Sequence, residues 1–136
     1  MVPDPVELLR ELLRFDTTNP PGNERDCVEH VRALLAEAGV ESELYARVPE
    51  RTNLVARLDG EEGRSPLLLY GHVDVVPTAG QQWTHPPFAA DVVDAQVWGR
   101  GTLDMKGGVA MMVTAFLRAK AEGAVPPGGL ALAVVS

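Results

Sequence analysis

The chain has 136 residues, 46% of them hydrophobic and 23% charged, which is typical of one soluble globular domain. A net charge of −7 argues against a general nucleic-acid-binding protein, because such proteins need a basic face to neutralise phosphates. No segment approaches the roughly 18 apolar residues of a membrane span, and the N-terminus lacks the pattern of a secretory signal. We therefore expect a cytoplasmic protein that binds no membrane. The single cysteine, Cys27, excludes an internal disulfide and is predicted to be a core residue.

Two amphipathic helices are predicted in the first 39 residues. The first covers about residues 6–15, with Asp4 as its N-cap. Turn-forming residues occupy positions 16–23 and predict a loop. Asn23 is predicted to cap the second helix, whose apolar residues recur at helical spacing until Gly39 ends it.

Apolar strand-like segments alternate with the helices in the rest of the chain. They cover residues 41–45, 53–58, 67–70 and 130–135, with a short hairpin at 92–98 and a third helix at 105–121. The run at 67–70 is continuously apolar, as expected of a strand buried on both faces. Helices that alternate with such strands predict an α/β layered domain.

A histidine and a carboxylate follow the apolar run at residues 67–70. In open α/β sheets, ligands bind beyond the carboxyl ends of the strands, and positions two apart in an extended segment point to the same side. His72 and Asp74 can therefore act together, with one ring nitrogen on a metal ion and the other donating to Asp74, which fixes the tautomer. The alternative is a solvated loop, since His-x-Asp is a short and common pattern.

Four glycines lie within residues 98–108, so the backbone can bend sharply there. Asp104, at the start of the third predicted helix, can either cap that helix or bridge two divalent ions through its two oxygens. The cluster matches neither a dinucleotide fingerprint nor a P-loop, which argues against a nucleotide-binding domain, and no Gly-x-Ser-x-Gly occurs in the chain. Arg100 and Lys106 are predicted to hold loop carbonyls or carboxylates, and His85 to be a packing or surface residue.

Together these segments resemble the N-terminal half of the co-catalytic zinc family of acetylornithine deacetylase, succinyl-diaminopimelate desuccinylase, aminoacylase and glutamate carboxypeptidase. The matching segments are Gly71–Pro77, Trp83–Phe88, Gly99–Gly101 and Asp104–Gly108. The loop Phe15–Glu24 also resembles the usual opening of the family. The resemblance spans nearly the whole chain, and several ordered motifs at the right separations make it specific.

The resemblance implies a three-layer helix–sheet–helix zinc-exopeptidase-like domain that hydrolyses the amide bond of N-acyl amino acids or small peptides. It implies that His72 binds one zinc ion, that Asp104 bridges two, and that Asp74 is a catalytic-site residue that orients His72. Co²⁺ or Mn²⁺ could substitute for Zn²⁺. It also implies a cis peptide bond between Asp104 and Met105, and a homodimer for a full-length parent.

In that family, the strand corresponding to residues 130–135 leads into two adjacent glutamates, a general base and a metal ligand. We therefore expect residues 1–136 to be the N-terminal part of a catalytic domain, without the rest of that domain or the dimerisation domain. One histidine and one aspartate fall short of the ligands of two four-coordinate zinc ions, so we predict that this chain alone binds zinc weakly and has no amidase activity. The alternative is a non-catalytic α/β interaction module that retains the fold. Adjacent glutamates after Ser136 would favour the enzyme.

Overall fold

The computed structural model describes residues 1–136, and all the predicted helices and strands occur in it with shifted ends. The elements are α1 (Pro5–Leu13), α2 (Arg25–Glu37), β1 (Ser42–Val48), β2 (Arg51–Leu58), β3 (Leu67–His72), β4 (Asp91–Val93), β5 (Gln96–Trp98), α3 (Gly107–Ala121) and β6 (Leu130–Val135). The strands β4 and β5 form the predicted hairpin. None of the three helices has both the length and the apolar character that crossing a bilayer requires.

The main sheet has the strand order β1-β2-β6-β3. β6 pairs antiparallel with β2 and parallel with β3, so His72 lies opposite Val135 where β3 and β6 both end. One face of the sheet and the three helices form a single apolar core. The α/β class is confirmed, and this chain contains two layers, a sheet and the helices on one of its faces.

The prediction that residues 67–70 are buried on both faces is wrong. β3 is an edge strand that pairs only with β6, and the side chains of Leu67, Leu68 and Tyr70 are more than half exposed. Leu69, which faces the core, is partly buried. An apolar run predicts a strand but does not reveal whether a second strand or a second helical layer lies beside it.

Two of the predicted helix ends are confirmed, and two are not. The Asp4 carboxylate accepts hydrogen bonds from two backbone amides of α1, which confirms the predicted cap. Gly39, with φ of +69°, follows the last turn of α2 as predicted. The prediction that Asn23 caps α2 is wrong, because Glu24 occupies the cap position and its carboxylate pairs with Arg51 instead. α3 begins two residues later than predicted, because a turn at 102–106 with non-helical backbone precedes it.

Candidate metal centre

His72 and Asp74 lie at the carboxyl end of β3, with their side chains on the same side of the chain. The distance from His72 Nδ1 to Asp74 Oδ1 is 2.8 Å, and the exposed fractions of the two side chains are 34% and 26%. The same ring nitrogen is 3.2 Å from the backbone oxygen of Asp74. The predicted pairing of the two side chains is therefore confirmed, and their roles in binding a metal stay a prediction.

Asp104 faces the other ring nitrogen of His72. The distance from His72 Nε2 to Asp104 Oδ1 is 3.0 Å, although the two residues are 32 positions apart. The peptide bond between Asp104 and Met105 is cis, as the resemblance implied. The alternative role of Asp104 as a helix cap is wrong, since α3 has Lys106 at its cap position and no side-chain cap. The Asp104 side chain is 86% exposed, so it is open to solvent ions.

The backbone that carries Asp104 is anchored to the end of α1 by Lys106. The Lys106 side chain is fully buried, and its Nζ donates to the backbone oxygens of Leu12 at 2.9 Å and Phe15 at 2.8 Å. Burial lowers the pKa of Lys106 below its ordinary value. The prediction that Lys106 holds loop carbonyls or carboxylates is confirmed for the Phe15 carbonyl, while the Leu12 carbonyl belongs to the last turn of α1. Its complete burial was not predicted, because a lysine between a methionine and two glycines carries no sequence signal of burial.

Three polar residues in or beside the loop at residues 16–23 were not predicted to have a role. Asn19 donates from Nδ2 to Asp74 Oδ2 at 3.1 Å. The fully buried carboxylate of Glu24 pairs with Arg51, with Oε1 3.1 Å from Nη2. The only signal for Asn19 and Glu24 was their position in the loop that matches the opening of the family, and Arg51 had none.

A cavity of about 620 Å³ opens beside Asp104, between the β4–β5 hairpin and the turn at 99–104. Trp83, Trp98 and Leu103 supply its large apolar side chains. The guanidinium of Arg100 lies 5.0 Å from the centre of the Trp83 ring and donates to Gln81. Arg100 thus holds a side-chain oxygen rather than a loop carbonyl.

The other two histidines and the cysteine lie away from this centre. His85 contacts Asp91, with Nδ1 3.4 Å from Oδ2, and packs against Trp98, which confirms the packing interpretation. His30 pairs with Glu11 on α1 at 2.9 Å. Cys27 is fully buried, as predicted, and burial raises the pKa of its thiol to about 11.

The donor atoms of His72 and Asp104 fit a divalent cation. An imidazole nitrogen and a carboxylate are ligands that zinc accepts, and the contact of Nδ1 with Asp74 leaves Nε2 for a metal ion. The chain brings together no group of three or more His, Cys, Asp or Glu side chains of metal-binding geometry. His72 and Asp104 alone would supply two of the three or four protein ligands that zinc takes.

Sequence comparison places this chain beside known peptidases. The model of Peptidase family M20/M25/M40 matches residues 68–136. A probable succinyl-diaminopimelate desuccinylase of Staphylococcus aureus is 34% identical over 128 residues, which are 93% of this chain and 30% of the relative. The chain therefore spans about 30% of the length of the curated relatives that it matches.

Solved structures share the fold at low sequence identity. An M20 family metallo-carboxypeptidase from Sulfolobus solfataricus superposes with a TM-score of 0.84 at 19% identity, over 98% of this chain and 30% of that one. Human carnosine dipeptidase 1 superposes with a TM-score of 0.79 at 20% identity, over 96% and 31% of the two chains.

Proposed function

The chain belongs to peptidase family M20/M25/M40, and on that premise we propose that it is part of a metal-dependent hydrolase of amide bonds. The substrates in this proposal are N-acyl amino acids or small peptides. One observation carries the proposal, which is the His72 ring between two carboxylates, with Nδ1 2.8 Å from Asp74 and Nε2 3.0 Å from Asp104.

In this proposal His72 and Asp104 are metal ligands, and Asp74 orients the imidazole. Asp74 accepts a hydrogen bond from Nδ1–H, which fixes the tautomer in which the Nε2 lone pair is free. Asp104 has two oxygens and an exposed side chain, so it can contact two ions at once. Bound metal ions would polarise the substrate carbonyl and increase the acidity of water. We assign the general base to no residue of this chain.

The cavity beside Asp104 supports a small-molecule substrate. Its volume of about 620 Å³ lies within the range of roughly 300–1,000 Å³ of small-molecule sites. Trp83, Trp98 and Leu103 offer apolar surface for an acyl or amino-acid side chain. A curated relative is named as a probable succinyl-diaminopimelate desuccinylase and a structural neighbour as a dipeptidase, and both names are consistent with amide substrates.

Zinc is the metal that we propose, with Co²⁺ or Mn²⁺ as substitutes. Two protein ligands are too few for tight binding. We therefore expect the free energy of zinc binding to this chain to be much smaller than the value for structural zinc sites, which is about 10–16 kcal/mol. We likewise expect no amidase activity from the chain alone, and a homodimer for a longer parent.

A zinc titration of the ¹⁵N-labelled chain tests the proposal. We expect the ring resonances of His72 and the backbone amide of Asp104 to shift with Zn²⁺. The His72 ring response should disappear in Asp104→Ala, and the Asp104 amide response should disappear in His72→Ala. His85→Ala is the matched control, since its ring contacts Asp91 and Trp98 outside the centre. Zinc binding that persists in both site variants would contradict the ligand assignment. If the His72 ring resonances of the wild-type chain show no response to millimolar zinc, the result would instead favour a non-catalytic interaction module.

A second experiment tests the reaction. A longer polypeptide that contains this chain is assayed against N-succinyl and N-acetyl amino acids and dipeptides, with and without a chelator. We expect hydrolysis that the chelator abolishes. Hydrolysis that survives both chelation and Asp104→Ala would overturn the proposal.

A further inference from the structure

The loop at residues 16–23 reaches the candidate metal centre through a single side chain. Asn19 is partly buried, and its Nδ2 donates to Asp74 Oδ2 at 3.1 Å. The other carboxylate oxygen of Asp74, Oδ1, is the one that contacts His72. The two oxygens of Asp74 therefore have one partner each, and a chain of contacts runs from Asn19 to the ring.

Backbone hydrogen bonds on both sides of Asp74 fix the position of this loop. Thr18 and Val75 form a parallel bridge, in which Asn19 N donates to Val75 O at 2.8 Å and Val75 N donates to Thr17 O at 3.1 Å. The buried Thr17 hydroxyl donates to the backbone oxygen of Val73. The carboxamide of Asn19 is thus held against Asp74 by the backbone, independently of its own side-chain bond.

In the contact between Asn19 and Asp74, the amide of Asn19 is the donor and the carboxylate of Asp74 is the acceptor. An ionised carboxylate only accepts hydrogen bonds, so the amide nitrogen of Asn19 must face it. If that donor is lost, the Asp74 carboxylate is free to rotate away from the ring. The Nδ1 proton of His72 then has the backbone oxygen of Asp74, at 3.2 Å, as its remaining acceptor. A neutral carbonyl is a weaker acceptor than a carboxylate, so the ring would lose much of its orientation.

We propose that Asn19 is a positioning residue, which holds Asp74 so that the Nδ1–H tautomer of His72 is fixed and Nε2 is presented to the metal. This inference rests on the proposed function, since it takes His72 Nε2 as the metal-binding atom. The contacts that hold the loop do not involve the Asn19 side chain. An Asn19 variant therefore keeps the bridge to Val75 and the ion pair of Glu24 with Arg51.

The first test needs no metal. The ring ¹⁵N shifts of His72 in the metal-free chain, recorded at the alkaline end of a pH series, report the tautomer directly. Because Asp104 Oδ1 lies 3.0 Å from Nε2 and competes for the ring proton when no metal is bound, the comparison is made in the Asp104→Ala background. We expect the Nδ1–H tautomer in that background, and a mixture of tautomers when Asn19→Ala or the isosteric Asn19→Asp is added. Asn23→Ala is the matched control, because Asn23 lies in the same loop with an exposed side chain, and we expect it to keep the Nδ1–H tautomer.

The second test measures Zn²⁺ affinity in the Asn19 variants with Asp104 intact, with circular dichroism to verify folding. We expect Asn19→Ala and Asn19→Asp to bind zinc about ten-fold or more weakly, as is usual when a residue that orients a metal ligand is lost. An unchanged tautomer and an unchanged zinc affinity with both Asn19 substitutions would overturn the inference. If the wild-type chain binds no zinc through His72, the proposed function fails, while the metal-free tautomers still decide whether Asn19 positions the ring.

Discussion

The two sides of the candidate metal centre are held in opposite ways. On one side, the side chains of His72 and Asp74 are mostly buried and contact each other, and Asn19 contacts Asp74. On the other side, the Asp104 side chain is 86% exposed, and its polar partner is His72. Its backbone, however, is anchored by the fully buried Lys106.

This difference matches what each proposed ligand has to do. An imidazole binds a metal through a single lone pair, so its orientation must be fixed before the metal arrives. A carboxylate has two oxygens and several lone pairs, so it can adapt to one ion or two from a fixed backbone position. The fold therefore fixes the imidazole ring of His72 on one side. On the other side it fixes the backbone turn that carries Asp104 and leaves the side chain of Asp104 free to adapt.

The largest effect is expected from Lys106→Met, which removes the anchor of the Asp104 side. Methionine fills the aliphatic volume but leaves the backbone oxygens of Leu12 and Phe15 without their donor. Because burial of the lysine charge is itself costly, we expect a net loss of about 2–4 kcal/mol in the free energy of unfolding. Urea denaturation measures it. Lys120→Met is the control, since Lys120 is exposed and bonds a single carbonyl. Equal losses in both variants would show that Lys106 is no anchor.

Arg51→Met tests the support of the loop that carries Asn19, because the Arg51 side chain lies beside Gly22 of that loop. The Glu24 carboxylate is fully buried and the Arg51 side chain is 32% exposed, so the variant leaves a buried charge that water can only partly solvate. We expect a loss of about 2 kcal/mol. Arg57→Met is the matched control, because Arg57 and Glu43 form an ion pair that is about 60% exposed on both sides, and its loss should cost less than about 0.5 kcal/mol. A difference of zero between the two variants would contradict the account of this support.

Cys27 lies in the apolar core beneath both sides of the candidate metal centre, and it interacts electrostatically with both Lys106 and Glu24. Its thiol therefore tests how the stability of this core depends on pH. Burial raises the pKa of its thiol from 9.0 to about 11. Between these values the unfolded thiol loses its proton while the folded thiol keeps it, so unfolding becomes easier as the pH rises. The Cys27 contribution falls by up to about 1.4 kcal/mol per pH unit. Urea denaturation at about pH 8 and about pH 10.5 should show this loss in the wild type and a smaller one in Cys27→Ala. Identical pH dependence in the two proteins would refute the raised pKa.

The smallest effect on stability is expected from Asp104→Asn. An exposed side chain outside the core should change the free energy of unfolding by less than about 0.5 kcal/mol. Zinc binding should nevertheless be lost, since an amide is a much poorer zinc ligand than a carboxylate. Asp94→Asn, an exposed carboxylate in the turn of the β4–β5 hairpin, should leave both properties unchanged. A large stability loss in Asp104→Asn would mean that this side is held by its side chain after all.

The sequence predicted local features well and non-local ones poorly. The Asp4 cap, the hairpin predicted at 92–98 and the pairing of His72 with Asp74 depend on neighbours in the chain, and all three are confirmed. The ion pair of Glu24 with Arg51 joins residues 27 positions apart, and Lys106 reaches oxygens more than 90 positions away. No periodicity or spacing encodes such pairs. The juxtaposition of His72 and Asp104 was expected only because several motifs together resembled a family.

The β3 strand shows the same limit on the scale of the sheet. Its apolar run gave the correct strand, but the strand order puts it at an edge of this sheet. The neighbours of a strand depend on the connections along the whole chain, and the sequence of the strand alone does not specify them.

Anomalous X-ray scattering from a crystal of the chain soaked in zinc tests the central claim most directly. We expect one zinc ion with His72 Nε2 and an Asp104 oxygen both at about 2.0–2.2 Å. Zinc bound at other side chains, with His72 and Asp104 free of metal at saturating concentration, would contradict the account.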